Sequence, residues 1–481
     1  MRNSLWLSSS IALTLGLTGA APAFAQSITE TLGLAYSQST QLSEARAQQR
    51  ATDEQVPQAL SNWRPTVTLN GTATRTHTAY GPPTVGAAAA RNPNGVGYNS
   101  YNTSSSVGIQ VVEHLYRGGR TVAQTSQATN TVKAGQSQLK TTEQTILLAA
   151  ATAYLDVYRD QATVDLTANN EAVLKRQLDA ESDRFRVGEV TRTDVALSEA
   201  SYEQARSQHT TAIGQLATDR ATFQRIVGQA PQKLVQGEFK YPLPGTLEEA
   251  VAEAEEANPN VVAAVFTERA ARDSVDVTQG ARLPQLDLVG TVSHTLPGRN
   301  ADLSGSSASS VASGLGSKLN HIDDASVEAQ MTWPIYTGGL ASSQVREAKQ
   351  TANQNLIAIE EAKRTARQAA ISAWEQLIAS KASIEALTAQ VKAAEIGAEG
   401  TRQQALVGTS TVLDSLTAEQ NLLQAQVSLV GAQHDELVNS FTLLSAVGGL
   451  TARDLKLDVQ IYDPQVNQDK VGDKLFGTGI D

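Results

Sequence analysis

Two kinds of hydrophobic pattern alternate along the chain, and each kind occurs twice. The first is strict alternation. Val67, Leu69, Gly71 and Ala73 share one face, opposite Thr66, Thr68, Asn70, Thr72 and Thr74. Leu286, Leu288, Gly290 and Val292 repeat the pattern against Gln285, Asp287, Thr291 and Ser293. A second alternating run follows each of these: Val107, Ile109 and Val111, then Val327, Ala329, Met331 and Trp333. A period of two is the mark of a strand with one apolar and one polar face. The pattern predicts strands at about 65–80, 102–116, 284–297 and 321–336. Turn-rich stretches, Gly81–Tyr101 and Pro297–Asn320, separate the members of each pair and read as exposed loops.

The second pattern has helical spacing. Leu139, Ile146, Ala150, Ala153, Val157 and Val164 form one stripe, and Ile359, Ala366, Ala370, Ala373, Leu377 and Ile384 form another. Such Ala-rich seams let long helices approach closely. From Arg120 to Arg186 is roughly 65 residues, or about 100 Å at 1.5 Å per residue. Return arms run from about Asp194 to Val227 and from Asp414 to Val447, with no proline inside either hairpin. Shorter helices, Ile28 to about Asn62 and Leu247 to about Arg282, precede the strands. Pro57 is expected to kink or interrupt the first of them, and Pro65 and Pro284 mark their ends.

These elements form an internal duplication. A shift of 219 residues lays Pro65–Gly71 on Pro284–Gly290. A shift of 220 lays Tyr116–Gly119 on Tyr336–Gly339, Val187-Gly188 on Val407-Gly408, and Asp194 on Asp414. Repeats of this kind imply a stacked or ring-forming architecture. The chain divides into a leader (1–25), a first repeat (26–230, with its hairpin at 120–228) and a linker (231–245). A second repeat (246–449, with its hairpin at 340–448) and a C-terminal segment (450–481) follow.

The leader combines Arg2, an apolar run from Ile11 to Leu17 and Ala23-Phe24-Ala25, the pattern of a cleavable export signal. No later run is apolar for long enough to span a bilayer as a helix. Aromatics make up only 5% of the residues and there is no cysteine, which removes disulfides, thiolate catalysis and Cys-metal sites. A formal net charge of −11 argues against a nucleic-acid partner. Six scattered His residues lack metal-ligand spacing, and no nucleophile elbow, phosphate loop or dinucleotide fingerprint is present. The sequence therefore predicts a protein that is not an enzyme and carries no cofactor.

Two readings of the strands remain open. They form either a small sandwich packed on the helices or part of a transmembrane barrel. Four strands leave two unpaired edges, and a barrel needs at least about eight, so the barrel reading requires several chains. The rival function is a non-channel periplasmic coiled-coil scaffold or adaptor-like protein.

The duplicated P-x-[VL]-x-L-x-G strand, Trp333-Pro-Ile-Tyr-Thr-Gly-Gly339, the R-F-x-V-G of Arg184–Gly188 and Val407-Gly-Thr409 with Asp414 resemble the TolC-like outer-membrane efflux proteins. The resemblance covers essentially the whole mature chain. It implies an α+β membrane protein of the Gram-negative outer membrane, a homotrimer with a 12-stranded β-barrel at four strands per chain. A periplasmic helical barrel would continue it, belted by Gln229–Gly245 and the tail after Leu450. The implied function is the exit duct of a tripartite pump or type I secretion system. Its partners would be a periplasmic adaptor (membrane fusion) protein, an inner-membrane transporter of the RND or ABC type, and outer-membrane lipid.

The resemblance also suggests site residues. Asp414 falls on the first acidic position of the family's periplasmic constriction, and Thr417 stands at the second. Three Asp414 carboxylates would form a cation-attracting ring, and crowding would raise some of their pKa values. Equally, Asp414 could cap the returning helix. Asp194 is expected to cap its own helix or to hydrogen-bond to the neighbouring hairpin. Ala405 and Ser410 stand where the family can carry a latching Tyr and Arg. Gly188 and Gly408 suit the tight turns, and adaptor docking is expected at Val187, Gly188 and Glu189 and at Val407, Gly408, Thr409 and Ser410. Tyr116, Trp333 and Tyr336 read as membrane-interface aromatics or as packing at the β-to-α junctions.

Overall fold

A computed structural model describes residues 26–80, 98–235, 239–296, 321–472 and 474–480. The leader (1–25) and the loops 81–97 and 297–320 lie outside the described residues. Two compact units emerge, and each draws on both repeats.

One unit comprises Arg46–Gln138, Asn260–Ala362 and Asp463–Asp481. It holds four strands, β1 (Thr66–Tyr80), β2 (Tyr98–Tyr116), β3 (Gln285–Leu296) and β4 (Ile322–Thr332), in one antiparallel sheet of order β1-β2-β3-β4. Val67 is 66% exposed, Leu69 72% and Val327 78%, and Val107, Ile109, Val292 and Met331 on the same face are also open. The apolar face is therefore not packed on a helix, which removes the small-sandwich reading. The opposite face carries Thr, Ser, Gln and acidic groups, joined by contacts such as Thr72 Oγ1 to Ser106 Oγ at 2.8 Å and His114 Nδ1 to Asp287 Oδ1 at 2.7 Å.

Strand ends differ from the sequence pattern in two places. β2 begins at Tyr98, ahead of the expected 102, and β4 stops at Thr332, short of the expected 336. Pro334 has no N–H for the ladder, so pairing ends just before it. Trp333 and Tyr336 are consequently not strand residues. The Trp333 indole donates to the Arg282 carbonyl at 3.2 Å, tying the strand exit to the turn ahead of β3, while Tyr336 lies exposed in the following connection. Tyr116 is the last residue of β2.

The expected helix over 28–62 is three pieces: α1 (Ile28–Gln38), α2 (Thr40–Asp53) and α3 (Gln55–Leu60), with a short 3₁₀ turn at Ser61–Trp63. The first break occurs where Ser39 turns extended and its hydroxyl accepts the Leu42 N–H at 3.2 Å. The second falls at Glu54, not at Pro57. Proline at 57 offers no N–H to the carbonyl four residues earlier, at Asp53, so the interruption appears one turn upstream. Two long hairpin helices follow β2, α4 (Arg120–Arg186) and α5 (Arg192–Val227). In the second repeat the first helix again divides, into α6 (Leu247–Ala257) and α7 (Pro259–Gly280). The break is at Asn258, held extended ahead of Pro259. The long helices of that repeat are α8 (Leu340–Leu406) and α9 (Val412–Ala446), and α10 (Pro464–Gly472) lies near the C-terminus.

The other unit comprises Met1–Ala45, Leu139–Pro259 and Lys363–Tyr462. Its core gathers Leu32 and Tyr36 of α1, Leu147 and Tyr154 of α4, Phe223 of α5, and Phe441 and Leu443 of α9. The segment after α5 is pinned to this core. Gln26 donates its N–H to the Lys233 carbonyl at 2.9 Å, and the buried Tyr154 hydroxyl lies 2.6 Å from the Val235 carbonyl.

Candidate functional site: the hairpin tips

The two long helices end in the same way because each runs into the same Val-Gly pair. Gly188 (φ 83°) and Gly408 (φ 77°) take the left-handed conformation that closes a helix, at little cost only for glycine. Glu189 N–H then bonds to the Arg184 carbonyl at 2.9 Å, and Thr409 N–H to the Gln404 carbonyl at 2.9 Å. Chain reversal leaves Val187 and Val407 at the apex, 73% and 75% exposed.

The return helices start on reciprocal caps. Thr191 and Thr411 are the N-cap residues; their hydroxyls accept the N–H of Asp194 and Asp414 at 3.3 and 3.1 Å. The carboxylates answer. Asp194 Oδ2 accepts the Thr191 N–H at 2.9 Å and hydroxyl at 2.7 Å, and Asp414 Oδ2 accepts those of Thr411 at 3.0 and 2.6 Å. Each aspartate therefore sits at the third helical position of a capping box, not at the N-cap. The threonines carry half of each box, and the T-x-x-D spacing in both tips is the sequence feature that reveals them.

Asp414 alone has a third donor, the Ser410 hydroxyl at 3.1 Å. The Thr411 hydroxyl, then the Thr411 N–H and then the Ser410 hydroxyl hold its pKa below the usual carboxylate value, so it is charged at neutral pH. Within one chain the cap thus pulls opposite to the upward push expected from crowding. Thr417 faces solvent and donates to the Leu413 carbonyl of its own helix at 2.8 Å, contributing no charge.

The second tip packs on the flank of the first hairpin, where Val412 and Leu416 meet Leu174 and Ala205. Behind the second tip, the Arg402 guanidinium reaches the buried Glu419 at 2.5 and 3.2 Å, a pair not anticipated from sequence. Its counterpart positions are Ser182 and an exposed Glu199, so the first hairpin has no such pair. Arg184 instead contacts Glu181 at 3.3 Å and Glu189 at 3.4 Å.

Farther along the first hairpin, Asp160 is buried beside Arg159, which lies 2.8 Å from it, 3.1 Å from Asp156 and 3.6 Å from Asp219. Asp160 Oδ2 has no hydrogen-bond partner when ionised. Burial, then the neighbouring Asp219, push its pKa up to about 6. Tyr116, Trp333 and Tyr336 belong to the sheet-bearing unit and are not part of this site. No cluster of His, Asp or Glu among the described residues could hold a metal ion, and no described helix is long and apolar enough to cross a membrane.

The family described as Outer membrane efflux protein matches residues 31–229 and again residues 250–449, one match per repeat. Outer membrane efflux protein BepC of Brucella suis biovar 1 (strain 1330) is 34% identical over 461 residues, covering 96% of this chain and 93% of the relative. Outer membrane protein TolC of Escherichia coli (strain K12) is 28% identical, covering 76% of this chain and 73% of the relative. In fold, the CmeC outer membrane channel of Campylobacter jejuni superposes with a TM-score of 0.74 at 16% identity, over 98% of both chains.

Proposed function

The chain belongs to the outer membrane efflux protein family, a family of outer-membrane channels, and from that membership we propose that it is the exit duct of a tripartite efflux pump or type I secretion system. In this reading three copies close a 12-stranded barrel, with the exposed apolar face of the sheet toward outer-membrane lipid and the threonine-rich face toward the lumen. The open apolar face carries the proposal: alternating lipid-facing and lumen-facing residues are how a barrel wall is built. Transport is passive, and energy enters through an inner-membrane transporter of the RND or ABC type, linked by a periplasmic adaptor.

The tips are the adaptor-docking ends. Val187, Gly188 and Glu189 and Val407, Gly408, Thr409 and Ser410 present bare backbone and an exposed valine, a surface open to a partner's apolar groups. Three copies of Asp414 form the periplasmic constriction, with Thr417 as an uncharged second ring. Charge on Asp414 does not compete with capping, because the Ser410 hydroxyl and the Thr411 N–H and hydroxyl all bond to Oδ2. Asp194 serves its helix. Tyr116, Trp333 and Tyr336 would lie at the periplasmic interface of the outer membrane.

Single-channel conductance in planar bilayers tests this. The wild-type chain should be cation-selective. Asp414→Asn, which keeps an acceptor for Thr411 but removes the charge, should lower that selectivity, whereas Asp194→Asn should not. An unchanged reversal potential for Asp414→Asn removes the ring, and a non-conducting soluble monomer removes the channel.

A further inference from the structure

The apolar face of the sheet changes character at the same step in both repeats. On β1 the row Val67, Leu69, Gly71 and Ala73 ends at Arg75, and on β3 the row Leu286, Leu288, Gly290 and Val292 ends at His294. Arg75 and His294 are counterparts at the 219-residue shift, and both side chains are exposed. Arg75 is the only arginine or lysine in the four described strands. A charge on a lipid-facing surface is costly at mid-membrane and tolerated where the apolar band meets the headgroups. These strand ends lead into the connections 81–97 and 297–320, and longer loops mark the extracellular side of a barrel.

Histidines gather at the same edge. His77 lies two residues beyond Arg75 on the same face of β1, and His321 immediately precedes β4. His294 Nδ1 lies 2.5 Å from Oδ1 of Asp323, its cross-strand partner, and His321 Nε2 lies 3.8 Å from Asp323 Oδ2. The His294 and His321 rings stack with centroids 5.5 Å apart. The carboxylate thus takes one nitrogen of His294 and leaves Nε2 for a second partner. In its imidazolium form such a ring donates to two anions, one at each nitrogen.

Beside this pair the apolar face is hollow. Leu69, Val107, Ile109 and Val292, together with His294 and Asp323, line a shallow depression of about 280 Å³. Gly71, opposite Val107, leaves the space in front of it open. An apolar trough with a polar rim suits an acyl chain below a charged headgroup. Arg75 pairs with Thr103 on β2, and His294 pairs with Val107, four residues farther along that strand. Two strand spacings and four residues separate Arg75 from His294, roughly 16 Å between Cα atoms. That span exceeds a single phosphate, so each side chain would meet its own.

We infer that this face binds an outer-leaflet lipid whose headgroup carries two phosphates. One phosphate sits on Arg75 and the Thr103 hydroxyl, the other on His294, and an acyl chain fills the hollow. Guanidinium grips phosphate through two parallel N–H bonds, and Asp323 positions the His294 ring. The inference rests on the barrel reading above and adds the chemistry of the lipid and the residues that hold it.

Native mass spectrometry of purified trimers titrated with bisphosphorylated lipid A in mild detergent tests it. Wild type should bind this lipid about tenfold more tightly than the monophosphorylated form, the effect of one charge-assisted hydrogen bond. Arg75→Gln and His294→Ala should each lose about that factor, while Arg75→Lys keeps most of the affinity. Gly71→Leu, where an added Cβ meets nothing within 4 Å, should weaken binding by obstructing the hollow while both phosphate contacts remain.

Equal affinity of wild type for the two lipids, a comparison that needs no variant, overturns the two-phosphate site. Wild-type affinity in both Arg75→Gln and His294→Ala overturns the assignment of residues. Displacement of the lipid by millimolar inorganic phosphate, or wild-type affinity in Gly71→Leu, overturns the seating of the acyl chain. A wild-type chain that neither forms trimers nor conducts in planar bilayers overturns the barrel reading instead.

Discussion

Asp160 gives the sharpest test of the helical unit. Burial, then Asp219, raise its pKa from 3.8 to about 6, while Arg159 pulls the other way without prevailing. A carboxyl raised in the folded state binds its proton more tightly there than in the unfolded chain. Its stabilising contribution is therefore complete below about pH 4 and is lost as pH rises to about 6. At about 1.4 kcal/mol per pKa unit, the full shift is worth at most roughly 3 kcal/mol. Asp219 is shifted downward, the upward push of burial being outweighed by its bonds to Asp160 and Gln215 and by Arg159. The two titrate as a pair, which reduces the expected net effect to about 1–2 kcal/mol.

Asp160→Asn places a permanent donor where the proton would sit and removes the titration. Thermal unfolding followed by the helical circular dichroism signal between pH 4.5 and 7.5 should show the variant gaining on wild type as pH rises, with the gain levelling off just above pH 6. His434 provides an internal reference. Burial lowers its pKa, but bonds to Asp156 and Asp435 outweigh that and raise it overall, so its contribution fades above pH 6.5 in both proteins. Parallel curves for variant and wild type across the whole range would refute the assignment.

Two further substitutions probe the joints. Arg402→Met leaves Glu419 buried without its guanidinium and should cost about 2 kcal/mol, read as a lower midpoint for thermal unfolding; Ser182→Met, at the equivalent place in the first hairpin, should be close to neutral. Gly118→Ala should reduce the yield of folded protein more than Gly119→Ala. Both positions have positive φ, but only at 118 would the added Cβ strike the Gly280 carbonyl.

Most of the fold was legible because it is written in periodicity. Alternation located four strands, and heptad-like stripes located both hairpins, to within a few residues. The misses have local causes. Backbone pairing carried β2 outward through Tyr98–Tyr101, where the polar, turn-forming composition Tyr-Asn-Ser-Tyr hid it. Pro334 cut β4 short despite the apolar Ile335 and Tyr336 beyond it. Pro57 acted through a carbonyl four residues away, so its effect was misplaced. At the tips, glycine and aspartate stood out because each is distinctive alone. The threonine partners and the Arg402–Glu419 pair emerge only from spacing at three and seventeen residues, and seventeen is not a contact distance until the hairpin has folded back.

The duplication separates what the backbone requires from what varies between the two copies. Backbone devices are kept in both copies: the glycine turns, the reciprocal Thr–Asp caps, and equal lengths of α4 and α8. Side chains that do not serve the turn have diverged. Position 190 is Val while position 410 is Ser, which gives Asp414 its extra donor; position 182 is Ser while position 402 is Arg, which anchors the second hairpin alone. If both tips lined a ring equivalently, the ring would carry six matching carboxylate sites. The second tip instead differs in two bonds, Ser410 to Asp414 and Arg402 to the buried Glu419 on the returning helix. In the proposed channel, a constriction at Asp414 would take its position from the second hairpin, which the Arg402–Glu419 bond ties together. Substitution at Arg402 should therefore change conductance, whereas substitution at Ser182 should not.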